Sequence, residues 1–540
     1  MKLYLKESIQ LVPYCWDWYA WSHLISPMTA AANIQERHLK IMESFIEMPS
    51  LHEEAIHMRG MIGGPFINLN STYQDTIAKL FERTLHTCKD LLTLYQDVKQ
   101  FNLLLQQEGH GMGLENLYNQ LPISLKGMVE LTYDAQSRPQ MRFIEALFYK
   151  KYNPQLREEQ SICLAETKDD NRPFSLSTPF VENNHTIKLQ IPFISGVIDQ
   201  LADMKIHPQS LDDVLNDIAI PTGQLDTVSS FFTDTPNKLR AKPISDNTLI
   251  VQYFGHACVL LQTKNISILI DPALGYSYEN QLDDRYTYLD LPEKIDYVLI
   301  THNHQDHFLL ESLLQIRHKI GTVIIPNNPA GSFLDPSLKL ILNNLGFKNI
   351  IPLDEFDDVI LPGNGKITGL PFLGEHGDLA ILSKQSYYIS INNRQFLFLA
   401  DSNNVDNALY QHIHDNIGSV DTLFIGMECV GAPVSWLYGP LLLKPLSRES
   451  DRSRRLSGSH SEKAWEMINH FNPKEVYVYA MGMEPWLGYI MAIHYNEASL
   501  PIIESNKFIE RCRKKNIIAK RLYGKQEWTY LEEKQCSIAF

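Results

Sequence analysis

The chain has 540 residues, 44% hydrophobic, 21% charged and 10% aromatic, a size beyond what a single core accommodates and a composition with no room for a long disordered tail. Lysine and arginine number 48 against 63 acidic residues, a net charge of −15 that opposes binding to nucleic acid or to an anionic membrane surface. Seven cysteines are scattered without a Cys-x-x-Cys pair, which argues against a thiolate metal cage or a disulfide scaffold and fits a reducing cytoplasm.

The opening run Met1-Lys2-Leu3-Tyr4-Leu5-Lys6-Glu7 reaches charge too early for a signal peptide. No window approaches the roughly 20 apolar residues of a membrane span, so a cytoplasmic protein without a transmembrane segment is expected. From 28 to 150 the apolar spacing is helical: Ile34, His38, Ile41, Met42 and Phe45 recur at three and four residues, and Ile77 through Leu94 continue as a helix or helix pair towards Leu105. Between 151 and 245 polar loops and prolines interrupt the pattern. The first domain is therefore expected over residues 1–240, mainly α-helical. It resembles no family, and two roles are open to it: a lid, or a surface for a protein or peptide partner. Trp16, Trp18, Tyr19, Trp21, His23, Glu36 and His38 cluster in it, as packing core or as part of that lid.

Beyond it, short β-rich runs at 248–253, 257–262, 266–270, 297–300, 386–391 and 475–479 alternate with helical stretches such as 309–319 and 461–470. That is the pattern of two sheets with helices outside, over residues 241–540.

The strongest chemical signal is Thr301-His302-Asn303-His304-Gln305-Asp306-His307, directly after a strand-like stretch. Two histidines at i and i+2 on an extended segment point the same way and can grip one cation. Asp306 and His307, further on, can serve a second, and imidazole with carboxylate suits zinc, iron or manganese. The plainer alternative is a loop that merely contains histidines, but four ligand-type residues in six positions at this spacing are uncommon by chance.

This run stands between two pairs of further stretches. Before it come Gly255-His256-Ala257-Cys258 and Ile268-Leu269-Ile270-Asp271-Pro272; after it come Gly374-Glu375-His376-Gly377-Asp378 and Leu397-Phe398-Leu399-Ala400-Asp401-Ser402. Together they resemble the metallo-β-lactamase-fold superfamily, an α/β fold of αββα sandwich form, over residues 245–525 or so. Within it the similarity is greatest to the branch containing ascorbate-phosphate lactonase and N-acyl-phosphatidylethanolamine phospholipase D. The resemblance implies His302, His304 and His376 on a first metal, Asp306 and His307 on a second, and Asp401 bridging, with Asp306 or Asp401 orienting a catalytic water. His376 sits in a glycine-flanked turn able to present it to a cleft, and Asp401 ends an apolar run where an unpartnered carboxylate would be costly. Asp271 reads as a support for a ligating imidazole.

The pattern breaks once. The late strand at 475–479 is followed by Ala480-Met481-Gly482-Met483-Glu484, with no histidine where the superfamily supplies its last ligand. Glu428, Glu484, His460 and His494 are the replacements within reach in sequence. Trp436, Tyr438, Arg454, Arg455 and Trp486 are candidates to shape a pocket for an anionic, small-molecule or lipid-like substrate; the plainer alternative for the arginines is a surface loop pairing with Glu449 and Asp451.

The first expectation for function is a hydrolase that turns a metal-activated water on an ester, lactone, amide or phosphodiester, using one or two divalent ions, zinc before iron or manganese. The second is an iron-dependent oxidative enzyme on the same fold, motivated by the missing histidine. The third is a non-catalytic binding or assembly module.

Overall fold

The structure is a computed structural model that describes residues 2–531 apart from 59, 217, 219, 221, 222 and 330; Cys536 lies outside that set.

Residues from Thr248 onward build two seven-stranded sheets. The first runs, edge to edge, Ile350–Leu353, Ile320–Pro326, Ile295–Leu299, Ser267–Ile270, Cys258–Gln262, Thr248–Gly255 and Gln526–Leu531. The second runs Asp358–Ile360, Lys366–Leu370, Ser386–Ile391, Arg394–Phe398, Thr422–Gly426, Glu475–Tyr479 and Ile518–Arg521. In each, half the pairings are antiparallel and half are parallel. The strands Ser267–Ile270 and Thr422–Gly426 are buried at every position, as strands covered on both faces must be.

Val259, Ile268, Ile324, Phe398, Phe424 and Tyr479 belong to the core between the sheets. Helices Asn407–Ile417, Ser461–Phe471 and Leu500–Lys514 cover the outer face of the second sheet. This is the expected αββα sandwich. The parallel strands leave their carboxyl ends on one rim, where loops after Leu299, Phe398, Gly426 and Tyr479 converge, the place where such sheets bind ligands.

The N-terminal half is helical over Pro27–Asn33, Leu39–Glu47, Gln74–Thr87, Lys89–Glu108 and Glu145–Glu158. It also holds a four-stranded sheet, ordered Trp18–Tyr19, Ile9–Cys15, Gln160–Glu166 and Thr186–Leu189. Its apolar residues and those outside the first sheet form one continuous core, from Leu11, Trp21 and Phe148 to Leu313, Leu338 and Leu437. Across this seam Arg172 grips Glu311 with two bonds of 3.0 and 2.9 Å, and the hydroxyls of Tyr19 and Tyr489 donate to the same carboxylate at 3.1 Å. So many donors are what a buried carboxylate needs. Trp16, Trp18, Tyr19, Trp21 and His23 are buried in this core, with Trp18 stacked on His38 at 3.9 Å, so they pack the interior. Among the described residues no helix is long and apolar enough to cross a membrane.

Candidate metal centre

The loop leaving Leu299 buries His302, His304, Asp306 and His307. Its shape is set by Asp271, fully buried at the end of the adjacent strand, whose carboxylate accepts from Thr301 N at 2.7 Å, Thr301 Oγ1 at 2.6 Å and His307 Nδ1 at 2.8 Å. Because the Thr301 hydroxyl donates to Asp271, its lone pair is left for His302 Nδ1–H at 3.0 Å. One carboxylate thus fixes two tautomers, and the Nε2 atoms of His302 and His307 are left buried without a hydrogen-bond partner.

Among the described residues, three groups of ligand atoms each lie within 4.8 Å of one another: His302, His304 and Glu375; His302, His307 and Asp401; His256, Asp306 and His307. Glu375 Oε1 is 2.7 Å from His304 Nδ1, and its other oxygen is 3.7 Å from His302 Nε2. The Tyr438 hydroxyl stands 3.1 Å from His304 Nε2, which leaves Nδ1 to face the cluster. Asp401 Oδ2 is 3.3 Å from His307 Nε2, and Oδ1 is buried and unpartnered. A Cβ on Gly426 would collide with that Oδ1, so the residue there must be glycine. Glu375 has a left-handed backbone, φ 63°, and burial pushes its carboxyl up to about 7 against the pull of His304. Burial also presses on Asp306, but the charge of His307 and the hydrogen bond from His256 hold it well below the carboxylate range. Facing, buried and unsatisfied nitrogens and oxygens of this kind fit cations, which give each of them a partner.

His376 lies outside the three groups. It stacks behind His304, ring centroids 4.5 Å apart, with Nδ1 turned to Gly374 O and to Glu375. The turn at Gly374 to Gly377 presents its carboxylate to His302 and His304, and that carboxylate is what sequence reasoning missed. The signal was present as two adjacent ligand-type residues in one glycine-flanked turn.

At the site of the missing histidine, Ala480 N donates to His256 O at 2.8 Å and Gly482 N to His256 Nδ1 at 3.1 Å. His256 Nε2 then faces Asp306 Oδ2 at 3.0 Å. Of the four replacements expected, Glu484 is buried against the Tyr253 hydroxyl at 2.6 Å, His460 and His494 are exposed, and none of these three joins a group. Glu428 lines the cavity above the cluster and accepts from Gly431 N.

That cavity, about 660 Å³, opens over His304, Asp306, Glu375 and Asp401. Met61, Phe66, Val430, Trp436, Leu437 and Ile493 give it apolar walls. Residues 60–66 of the N-terminal half form one side, a part played by this segment and not by the tryptophan cluster. Of the expected pocket residues Trp436 lines it and Tyr438 touches His304. Arg454 and Arg455 are bonded to the backbone carbonyls of Gly377 and Val430, and Trp486 is buried in the core away from the lining.

Residues 4–236 match the family described as the diiron non-heme β-hydroxylase N-terminal domain, and residues 250–385 match the β-lactamase superfamily domain. Over 97% of this chain and 99% of its own length, the 4-amino-L-phenylalanyl-[CmlP-peptidyl-carrier-protein] 3-hydroxylase of Streptomyces venezuelae is 37% identical. The crystal structure of CmlA, a diiron β-hydroxylase from the same organism, superposes with a TM-score of 0.91 at 36% identity, covering 98% of this chain and all of that one. A mutant of the CmlA β-hydroxylase gives 0.90 at 35%, covering 98% of this chain and 100% of its own. Full-length similarity of this order, with both domain families in register, shows that the chain belongs to the family of CmlA-like diiron β-hydroxylases.

Proposed function

We propose that the chain is an iron-dependent hydroxylase that places oxygen on the β-carbon of an aminoacyl group carried as a thioester by a peptidyl carrier protein. The observation that carries this is Glu375 beside His302 and His304: two imidazoles and one carboxylate are the donor set of non-haem iron oxygenases. The expectation of a zinc hydrolase is set aside because the relative similar over the full length is a hydroxylase. In this reading His302, His304 and Glu375 hold one iron, Asp306 and His307 the second, and Asp401 lies between them; His376 is a neighbour of Glu375 and not a ligand. His256 orients Asp306, and Tyr438 holds His304.

Iron bound here would supply the activation of dioxygen that hydroxylation requires, one oxygen atom entering the C–H bond and the other leaving as water, with the two electrons drawn from a pair of ferrous ions. The chain itself excludes water with the walls made by Met61, Phe66, Trp436 and Leu437. Glu428, on the same wall, receives the α-ammonium of the aminoacyl group.

Iron analysis of anaerobically purified protein, followed by oxygen uptake and mass spectrometry with carrier protein loaded with different amino acids, tests this. Two irons per chain and a product heavier by one oxygen atom are expected. Tightly bound zinc with no oxygen uptake on any loaded carrier would overturn it.

A further inference from the structure

Beside the metal pocket lies a second cavity of about 810 Å³ that shares Gly63, Gly64, Pro65, Phe66 and Trp436 with it. The two meet at a wall where Trp436 Nε1 donates to Gly63 O at 2.9 Å. The second cavity has two kinds of lining. Ile41, Leu176, Leu443 and Leu446 make it apolar, whereas Arg37, Lys40, Lys99 and Arg448 bring four cations to it.

Among the described residues two carboxylates line it with them, and both are engaged. Glu36 is paired with Lys40 at 2.5 Å and Lys99 at 2.9 Å, and Asp451 accepts from Ser435 N at 2.9 Å and Ser435 Oγ at 2.7 Å. Among the described residues no carboxylate is within ion-pair distance of Arg37 or Arg448. Arg448 is exposed, but Arg37 is only 9% accessible. Its Nη2 donates to Trp436 O at 2.6 Å and Leu437 O at 3.1 Å, while Nη1 is buried without a partner. A buried guanidinium without a counter-charge is costly, and burial lowers its pKa to about 10. It sits in a single π-helical turn, Ile34–His38, a conformation often found at functional sites.

We propose that this second cavity is the berth of a 4′-phosphopantetheine arm, its phosphate held by Arg448 and Lys40 at the rim and its amide carbonyls by Arg37 further in. The inference rests on the carrier-bound substrate proposed above. A tethered acyl group cannot diffuse in alone, so the arm that bears it needs a slot adjoining the metal pocket, as this cavity does along residues 63–66 and Trp436. Apolar walls suit the arm's methylene and dimethyl carbons, and a cationic rim suits its single phosphate.

The test is binding of 4′-phosphopantetheine and of pantetheine, which lacks the phosphate, to the full iron-loaded chain without dioxygen, followed by calorimetry. Phosphopantetheine is expected to bind about tenfold more tightly than pantetheine, the worth of one charge-assisted contact. Arg448→Glu with Lys40→Glu is expected to erase that difference while the iron content stays at the parent value. Leu443→Trp, which fills the slot, is expected to weaken both probes. Equal affinity of the parent for the two probes, or a phosphate preference that survives the double charge reversal, overturns the berth. Absence of hydroxylated product from loaded carrier while the arm still binds counts against the proposed reaction alone.

Discussion

His256 Nε2 lies 3.0 Å from Asp306 Oδ2, an imidazole from the first hairpin of the sandwich meeting a carboxylate of the metal-binding run. The Gly482 amide donates to Nδ1, which leaves Nε2 as the ring nitrogen turned to Asp306. The ring therefore steers Asp306. His256→Ala is expected to weaken the second iron about 10- to 100-fold, the usual cost of losing a group that orients a ligand. Iron per chain after dialysis against a chelator reads this directly. His256→Gln, which keeps a donor, is expected to recover part of the loss, and an alanine variant that keeps both irons as firmly as the parent would exclude the role.

Glu375 is the residue that distinguishes this donor set from an all-imidazole one at the first position. Glu375→His is expected to move metal preference from iron towards zinc, since imidazole is a softer donor than carboxylate. Loading the apoprotein from an equimolar iron and zinc mixture under anaerobic conditions measures the ratio bound. An unchanged ratio would mean that Glu375 does not touch metal.

Glu145 is buried beneath the first sheet's helices, where its oxygens accept from Ser26 Oγ at 3.0 Å and Ser337 N at 2.9 Å. Burial raises its pKa from 4.5 to about 7. Between those values the folded chain keeps a proton that the unfolded chain has released, so this group's contribution is fully favourable below 4.5 and is lost as pH rises to about 7. Glu145→Gln removes the titration. Relative to it, the parent is expected to lose about 3 kcal/mol of stability between pH 5 and pH 8, read from chemical unfolding of the apoproteins. Parallel curves for the two proteins would rule this out.

Arg172→Met leaves Glu311 buried, 5% accessible at the side chain, with two tyrosine hydroxyls and no cation. Breaking a buried pair from one side costs about 3–5 kcal/mol, so a large fall in the unfolding midpoint is expected. The double variant Arg172→Met with Glu311→Leu should regain much of it. If the single variant is as stable as the parent, the seam does not depend on this pair.

Much of the sandwich could be read from the chain because its central strands are unbroken apolar runs, such as Ser267–Ile270 and Thr422–Gly426. The edges could not. Asp358–Ile360 is exposed at both ends and Gln526–Leu531 begins with two polar residues and ends with two apolar ones instead of alternating, so neither stands out from a loop. The strands of the N-terminal half escaped for a different reason: Ile9–Cys15 pairs with Gln160–Glu166 across about 150 residues of chain, a contact that local periodicity does not register. At the site, spacing exposed His302, His304, Asp306 and His307, which follow one another in sequence. Glu375 and His256 depend on left-handed turns at φ 63° and 51°, and such turns decide which of two neighbouring side chains faces inward.

Arg37 holds the carbonyls of Trp436 and Leu437, and the next side chain, Tyr438, holds His304. Three links therefore join a π-turn in one half of the chain to a metal-facing imidazole in the other. In the proposed berth, an amide carbonyl of the arm arriving at Arg37 would bear on the same backbone that holds Tyr438 against His304. Filling of the slot is therefore expected to shift the spectrum of iron bound at His304, which makes that spectrum a reporter for what sits in the neighbouring cavity.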